Sequence, residues 1–353
     1  MKHPLAAKSP LAADRPLAAD RPLAADRPLA ADQPLAADQP LAADQPLAAK
    51  SPLAAVGPSL LLLLTALIWG SAFVAQRLGM EHVGPFAFLS SRNLLGFLAL
   101  LPVIAWRRRH LGADPLAGGV RALAVGSAAC GAALFAASAC QQVGLLWTTA
   151  GLSGFLTANY VLLVPVLGCF VGRPPLRTTW IGVALALAGL YLISVGPDAK
   201  LSAGPGEALT LLCALLFAVQ ILCVDRFAPR VDPVALAAGE FLFGFLAGLP
   251  FLALPSEAPR LSLAAFRAAL PAIAFAGFLS SGVAYTLQIV AQKRTRPAIA
   301  SLLMSLEAVF AALCGRIFLR EALSPRQIVG CALVFVAVAL VQLLAARAPS
   351  SRP

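Results

Sequence analysis

Apolar residues dominate the chain from Pro58 onward, in long stretches separated by short joints that carry glycine, proline or charge. A helix rises by about 1.5 Å per residue, so roughly 20 apolar residues cross a hydrocarbon core of about 30 Å. Ten stretches approach that length: 58–78, 86–105, 120–142, 150–171, 178–195, 206–225, 233–254, 268–290, 297–319 and 325–345. The pattern predicts an all-α integral membrane protein with ten transmembrane helices.

A different pattern precedes these stretches. Residues 4–57 divide into nine hexamers, of which Pro16-Leu-Ala-Ala-Asp-Arg21 is typical. A proline at every sixth position blocks a continuous helix, and each hexamer offers too little apolar surface to offset the entropy of ordering. We therefore expect 1–57 to be a disordered hexapeptide-repeat tail in the cytosol, and 347–353 to be a short cytosolic tail.

The apolar stretches repeat at a fixed offset of 148 residues. Leu94-Leu-Gly-Phe-Leu-Ala-Leu-Leu-Pro102 matches Leu242-Phe-Gly-Phe-Leu-Ala-Gly-Leu-Pro250 at seven of nine positions. The offset predicts two five-helix units, 58–196 and 206–346. Because five is an odd number, the second unit enters the membrane from the opposite side, which makes the two units inverted repeats.

Composition and charge agree with a membrane protein. Of the 353 residues, 59% are hydrophobic and 12% are charged, whereas a typical soluble domain has about 25% charged residues. A net charge of +11 would favour nucleic acid as a partner of a soluble protein. Here most basic residues lie in the joints, so we expect the lipid bilayer as a partner and no nucleic acid.

The basic residues also predict the orientation. Without the N-terminal tail, thirteen lie in the joints and tail on the side of the N-terminus, and seven lie in the opposite joints. Positive residues concentrate on the cytosolic side of membrane proteins. We therefore expect a multi-pass protein of the plasma (inner) membrane with both termini in the cytosol.

Metal and cofactor chemistry is not indicated. The seven cysteines lie in apolar stretches without a CxxC pair, which is typical of packing residues. The three histidines, His3, His82 and His110, lie in the tail and in two joints. The sequence contains no P-loop pattern, so ATP-driven pumping by this chain is not expected. We expect no cofactor and no metal site.

Three ionisable side chains, Arg92, Glu240 and Glu307, lie deep in the predicted spans. Such residues cost roughly 2.5–3.5 kcal/mol on insertion scales, so they are candidates for gating or coupling. Arg92 is expected in the outer third of its span and Glu240 in the cytosolic third, a difference in depth of roughly 10 Å. This favours an outer gate and an inner gate over a salt bridge. Helix anchoring through carbonyls or a neighbouring hydroxyl group explains either residue equally well.

A polar and aromatic cluster is predicted at the midplane. Glu307 lies near the middle of the ninth span, and the repeat maps it onto Asn159, which precedes Tyr160 in the fourth span. Trp69 and its repeat partner Phe217 are also central in their spans. Inverted-repeat transporters bind substrate at this depth, so these five residues form the predicted substrate site. For the two aromatic repeat partners, the alternative is packing or lipid contact.

Four glutamines, Gln141, Gln142, Gln288 and Gln292, lie near the ends of the third and eighth spans. An amide inside hydrocarbon needs a partner, whereas headgroups or water satisfy an amide at the interface. We therefore expect these four side chains at the membrane interface.

Several short motifs follow one another in a fixed order along the chain: Trp69-Gly-Ser-Ala-Phe73, Arg92, Thr148-Thr-Ala150, Leu306-Glu307-Ala-Val309 and Glu321-Ala-Leu-Ser324, followed by Gln327 and Gly330. In these motifs, and over about 58–345, the chain resembles the EamA-type proteins of the drug/metabolite transporter superfamily. It implies ten helices, cytosolic termini and transport of small metabolites without nucleotide hydrolysis. Two positions depart from the family pattern, since Ala308 stands where proline is frequent and Arg320 where glycine is frequent. Without that proline we expect a straighter ninth span.

The expected function is a secondary active transporter that moves a small metabolite or amphipathic compound across the plasma membrane by alternating access. A homodimer is left open. The alternative is a non-transporting membrane receptor or scaffold, because a fold does not by itself establish transport. An enzyme is not expected. Gly151-Leu-Ser153-Gly154 is similar to a segment of rhomboid proteases, but a serine nucleophile needs a basic partner, and no histidine lies in a span.

Overall fold

The computed structural model describes residues 52–148, 150–194, 204–318 and 323–347, and all regular elements within these ranges are helical. The α-helices are α1 Pro52–His82, α2 Pro85–Leu111, α3 Val120–Gly144, α4 Ala150–Ala158, α5 Tyr160–Phe170, α6 Arg177–Ser194, α7 Pro205–Phe227, α8 Pro233–Gly248, α9 Leu263–Ala274, α10 Thr286–Gln292, α11 Pro297–Met304, α12 Glu307–Phe318 and α13 Pro325–Arg347. A π-helical segment, Phe275–Tyr285, joins α9 to α10, and two 3₁₀ turns, Leu249–Ala253 and Ala258–Arg260, follow α8.

Nine helical segments in these ranges are long and apolar enough to cross a membrane, and the apolar helix Arg177–Ile193 is shorter. Four of the nine contain more than one element: Leu152–Phe170 contains residues of α4 and α5, Pro233–Ala253 contains α8 and the 3₁₀ turn after it, Leu263–Gln292 contains α9 to α10, and Pro297–Cys314 contains residues of α11 and α12. The predicted all-α architecture is confirmed for the described residues. The exact number of ten spans stays a prediction.

The first helix begins inside the hexapeptide repeat. α1 starts at Pro52, so residues 52–57 are helical where the sequence predicted a disordered tail. Proline is tolerated in a first helical turn because the amide groups there have no partner within the helix. The earlier hexamers and the residues after Arg347 lie outside the described ranges, as do Glu321 and Arg320 of the loop motif.

The last helices of the two predicted units, α6 and α13, pack against each other in antiparallel directions. Gly182 of α6 lies against Val341 of α13, whereas Gly189, further along α6, lies against Gly330 at the other end of the contact. A Cβ atom on Gly189 would lie 2.6 Å from the Gly330 carbonyl oxygen, and a Cβ atom on Gly330 would lie 2.6 Å from the Gly189 carbonyl oxygen. The two backbones can approach this closely because both positions are glycine.

The second helices of the two units, α2 and α8, form another antiparallel pair. A Cβ atom on Gly96 of α2 would lie 3.4 Å from the Phe241 ring, and a Cβ atom on Gly244 of α8 would lie 2.7 Å from Asn93 Nδ2. The 148-residue offset exchanges these two contacts, because Gly96 corresponds to Gly244 and Asn93 to Phe241. The pair therefore has the same local arrangement when viewed from either half.

Acidic side chains stabilise both ends of the α2–α8 pair. At the end of α2, Arg107 forms two hydrogen bonds of 2.8 and 2.9 Å with Asp232, which also accepts from two backbone N–H groups in the first turn of α8. At the other end, the buried Glu257 accepts from two backbone N–H groups in the first turn of α2, at 2.9 and 3.2 Å. Both carboxylates lie at helix N-termini, where negative charge is stabilised.

Two spans are interrupted near their middle. Asn159 separates α4 from α5, and residues 305–306 separate α11 from α12. At each break a polar side chain donates to a carbonyl of the preceding turn, Asn159 Nδ2 at 2.9 Å and Ser305 Oγ at 2.7 Å. Such bonds compete with the helical ladder and bend helices. The ninth span is therefore interrupted at Ser305 although Ala308 replaces proline, and the expectation of a straighter span stays a prediction.

Candidate functional site

A cavity lies among the helices of both units. Its walls come from α1, α2, α3, α4, α5, α7, α10, α12 and the π segment. The polar residues of the lining are Gln76, Arg92, Gln141, Thr157, Tyr160, Gln220, Ser280, Tyr285, Gln288 and Glu307. Ligand cavities characteristically combine such convergent polar groups with aromatic walls, which Trp69, Phe73 and Phe217 supply here.

Five of the seven residues selected from the sequence line this cavity: Trp69, Arg92, Tyr160, Phe217 and Glu307. They come from α1, α2, α5, α7 and α12, so both units contribute. The structure thus brings the three substrate-site aromatic residues and two of the three deep ionisable residues to one place.

The other two predicted residues, Asn159 and Glu240, do not line the cavity. Asn159 donates to backbone carbonyl oxygens of the preceding turn of α4, at 2.9 and 3.3 Å, and so supports the break between α4 and α5. Glu240 is completely buried behind the cavity and accepts a 2.8 Å hydrogen bond from Gln220, which does line it. Asn159 is thus next to the cavity, and Glu240 reaches it through another side chain.

The negative side of the cavity is formed where the two interrupted spans meet. α4 packs against α12, and α5 packs against α11. Glu307 lies in the first turn of α12, and its Oε1 atom accepts a 3.0 Å hydrogen bond from the hydroxyl group of Tyr160, the first residue of α5. The N-terminus of a helix stabilises a carboxylate. The two breaks therefore position a carboxylate and a phenol at the cavity wall.

The positive side of the cavity is formed by α2 and the π segment. Arg92 Nε donates to Ser281 Oγ at 3.2 Å, and Arg92 Nη2 donates to Ser280 Oγ at 3.4 Å. The indole N–H of Trp69 donates to the Ser280 carbonyl oxygen at 3.4 Å, and its ring lies 4.5 Å from that of Tyr285. A π-helical turn displaces side chains from their α-helical positions and is frequent at functional sites. In this span it supplies the two hydroxyl groups that bind Arg92 and the carbonyl group that binds Trp69.

The two charges of the cavity are not paired with each other. Among the described residues, the ion pairs are Arg107 with Asp232 and Arg173 with Asp225. Arg92 is bound by serine hydroxyl groups and Glu307 by a tyrosine hydroxyl group. The guanidinium group of Arg92 and the carboxyl group of Glu307 therefore line the same cavity without an ion pair between them.

The glutamines were placed wrongly by the sequence interpretation. Gln141, Gln142, Gln288 and Gln292 are at most 6% exposed, so they are buried among helices and not satisfied at an interface. Gln141 donates to Thr157 Oγ1 at 3.2 Å, and Gln292 donates to a backbone carbonyl oxygen at 3.3 Å. Gln141, Gln288 and Gln292 thus find polar partners on other helices of the bundle, which a single span does not reveal.

Further lining residues were missed, although helical spacing offers a signal for them. Gln220 follows Phe217 by three residues, and Gln288 follows Tyr285 by three residues. Residues three positions apart share a helix face. A polar residue one turn from a central aromatic residue therefore marks the cavity side of the span.

Metal ligation finds no support in the described ranges, where no group of three or more histidine, cysteine, aspartate or glutamate side chains is close enough to hold an ion. The cysteines in these ranges are free thiols.

Comparison with known proteins gives two matches of one family profile along the chain. Residues 58–195 and 204–343 each match the EamA-like transporter family, which confirms the resemblance and the duplication predicted from the sequence. The chain is 31% identical to an uncharacterized transporter of Archaeoglobus fulgidus, over 80% of this chain and 84% of the relative. It is 27% identical to a WAT1-related chloroplastic protein of Arabidopsis thaliana, over 80% and 68%, respectively.

Other similarities cover less of the sequence or only the fold. The threonine/homoserine exporter RhtA of Escherichia coli (strain K12) is 30% identical over 170 residues, which are 48% of this chain and 55% of RhtA. A solved crystal structure has a TM-score of 0.68 at 20% identity and covers 82% of this chain and 98% of that chain. This last similarity supports the fold alone.

Proposed function

Because the chain belongs to the EamA-like transporter family, we propose that it is a secondary active transporter that moves a small solute across the plasma membrane by alternating access. The family consists of transporters and not of enzymes, and the nine apolar helices agree with a multi-pass membrane protein. The solute, the direction of transport and the central cavity as its binding site are parts of this proposal.

The antiparallel helix pairs support an inverted repeat. Gly182 and Gly330 occupy equivalent positions in the two units, yet they lie at opposite ends of the α6–α13 contact. Equivalent helices that run antiparallel belong to units of opposite orientation. Two units related in this way can exchange their conformations, which is the structural basis of alternating access in many transporters. We infer that the two halves rock about the cavity, and that α6 completes ten spans.

The orientation follows from the basic residues. Thirteen lie on the side that carries both termini and seven lie on the opposite side. This asymmetry favours cytosolic termini in a plasma (inner) membrane. In this orientation, Arg92 is the candidate for an outer gate and Glu240 the candidate for an inner gate.

One observation carries the assignment of the substrate class: Arg92 and Glu307 line the same cavity without forming an ion pair. A buried charge without a counterion is costly in a membrane. A solute with an anionic and a cationic group neutralises both charges at once. The aromatic walls then accommodate its apolar part. We infer that the solute is a zwitterion of amino-acid size.

Similarity to a known exporter supports the same conclusion. RhtA is named as a threonine/homoserine exporter, and both compounds are zwitterions. Its similarity covers 48% of this chain, so it supports the solute class and does not select one amino acid.

Exchange measurements in proteoliposomes test the proposal. Vesicles loaded with unlabelled L-threonine take up labelled L-threonine if the cavity binds it on both sides. Glu307→Gln and Arg92→Met should each reduce the affinity by about tenfold or more, because a hydrogen bond to a charged group contributes roughly 1.5–3 kcal/mol. Glu81→Gln removes an exposed carboxylate at the end of α1 and is the matched control.

The outcomes separate three interpretations. Loss of exchange in both cavity variants, with wild-type exchange in Glu81→Gln, supports the zwitterion site. Exchange that survives in Glu307→Gln while net transport is lost would make Glu307 a coupling residue. Wild-type affinity and transport in both cavity variants would contradict the site.

A further inference from the structure

A chain of amide side chains connects the cavity to a carboxylate behind it. Gln288 Nε2 donates to Gln220 Oε1 at 3.2 Å, and Gln220 Nε2 donates to Glu240 Oε1 at 2.8 Å. Gln220 and Gln288 line the cavity, whereas Glu240 does not, and all three are at most 1% exposed. The two terminal atoms, Gln288 Oε1 and Glu240 Oε2, have no hydrogen-bond partner within the described ranges. We call these three residues the amide relay.

The protonation state of Glu240 sets the direction of the amide relay. An ionised carboxylate only accepts hydrogen bonds, so Gln220 must turn its NH₂ group toward Glu240 and its carbonyl group toward Gln288. Gln288 then presents its own carbonyl oxygen at the cavity. A protonated Glu240 can donate to the Gln220 carbonyl oxygen instead. Both amides then rotate by half a turn, and Gln288 presents its NH₂ group at the cavity.

The groups around Glu240 indicate that a proton neutralises the negative charge of its carboxylate. The titratable groups within electrostatic reach are Cys130 on α3, Cys223 on α7 and Tyr285 on the π segment. Two further elements pack against α8, α10 and the 3₁₀ turn Leu249–Ala253, and neither contains an ionisable residue. The buried basic residue of α2, Arg92, donates to serine hydroxyl groups. No cation therefore pairs with Glu240 in the described part of the chain.

We propose that Gln220 and Gln288 are positioning residues that couple protonation of Glu240 to solute binding in the cavity. With Glu240 ionised, the cavity end of the amide relay is an acceptor and suits the ammonium group of a solute. With Glu240 protonated, that end is a donor and disfavours an ammonium group. A proton on Glu240 and an ammonium group at Gln288 therefore exclude each other, which is the requirement for exchange of protons for solute. This inference rests on the proposed function of the cavity.

Infrared difference spectroscopy tests the relay without any solute. The full chain in lipid nanodiscs, with nitrogen-15 in the glutamine side chains, is compared between low and high pH. We expect isotope-shifted side-chain amide bands in the wild-type difference spectrum, because the amides reorient when Glu240 titrates. The bands should vanish in Glu240→Gln and persist in Glu307→Gln, which removes the other buried carboxylate. Absence of the bands in the wild type, or their persistence in Glu240→Gln, would overturn the relay.

Transport measurements test coupling, with L-threonine as the probe. Glu240→Gln should retain exchange of labelled for unlabelled threonine and lose accumulation driven by a pH gradient, and Gln220→Met should lose the same accumulation. The threonine affinity of Glu240→Gln should also no longer depend on pH, whereas the wild-type affinity falls as pH falls. Gln142→Met, which replaces a buried glutamine outside the cavity, is the matched control and should retain coupling.

The results distinguish failure of the relay from failure of the proposed function. If Glu240→Gln accumulates threonine in a pH gradient at the wild-type level, the proposed coupling role of Glu240 is overturned. Parallel loss of exchange and accumulation in Glu240→Gln would show a merely structural role. If the wild type exchanges none of the standard amino acids, the proposed function fails, and the infrared experiment still decides whether the relay reorients.

Discussion

Replacing Gly330 by alanine should weaken the packing of α13 against α6. A Cβ atom at this position would lie 2.6 Å from the Gly189 carbonyl oxygen and 2.9 Å from the Ile193 backbone nitrogen. An ordinary contact needs at least 3.4 Å, so the first distance must increase by about 0.8 Å. Both neighbours are backbone atoms, so no side-chain rotation relieves the clash. Such overpacking costs about 1–3 kcal/mol, and the better helix propensity of alanine offsets up to about 1 kcal/mol of it.

Unfolding in detergent, followed by thiol accessibility or intrinsic fluorescence, measures this loss. Gly154→Ala is the matched control because its Cβ atom would meet only the Phe73 ring, at 3.9 Å. We expect the control to be unchanged or stabilised by about 0.5–1 kcal/mol. Gly189→Ala should behave like Gly330→Ala, and the double variant should lose less than the sum, because one separation of the helices accommodates both methyl groups. A Gly330→Ala protein as stable as Gly154→Ala would refute the close packing.

Three further predictions concern topology, the tail and the loop carboxylate. A reporter fused after Arg347 should be active only in its cytosolic form, because the basic residues favour a cytosolic C-terminus; activity of a periplasmic reporter there would reject the orientation. Deleting residues 4–51, which leaves α1 complete, should preserve membrane levels and transport; loss of membrane protein would reveal a structural role of the tail. Glu257→Gln should destabilise the protein by about 1–2 kcal/mol, since the amide loses the charge and one acceptor at the start of α2. Equal stability of Glu257→Gln and the exposed control Glu81→Gln would contradict the capping role.

The positions of the spans were predictable because they depend on local quantities. The length of an apolar stretch and the joints around it decide whether a helix crosses a membrane. The offset of 148 residues further predicted that α2 and α8 are equivalent. The start of α1 differed because helix formation continues into the last hexamer, where Pro52 occupies the tolerated first position.

The cavity was predictable only in part because its composition depends on the rotation of each helix. Central depth sufficed for Trp69, Phe217 and Glu307, since any inward face at that depth meets the cavity. Depth alone placed Gln288 at an interface, whereas its contact with Gln220 depends on how α10 packs against α7. Asn159 lies at the predicted depth but does not line the cavity, because its side chain donates to a backbone carbonyl oxygen at the helix break.

The equivalent positions of the two units explain how a symmetric scaffold holds a site with two different ends. The contact positions of the scaffold agree, since Gly96 is equivalent to Gly244 and both pack across the α2–α8 pair. In the alternating access that we propose, equivalent contacts would allow either half to adopt the conformation of the other. The charges do not agree, because Arg92 is equivalent to Glu240, and Glu307 is equivalent to an amide. Divergence at these two pairs places an arginine and a glutamate at the cavity and a second carboxyl group behind it, the arrangement on which the proposal of a zwitterionic solute rests.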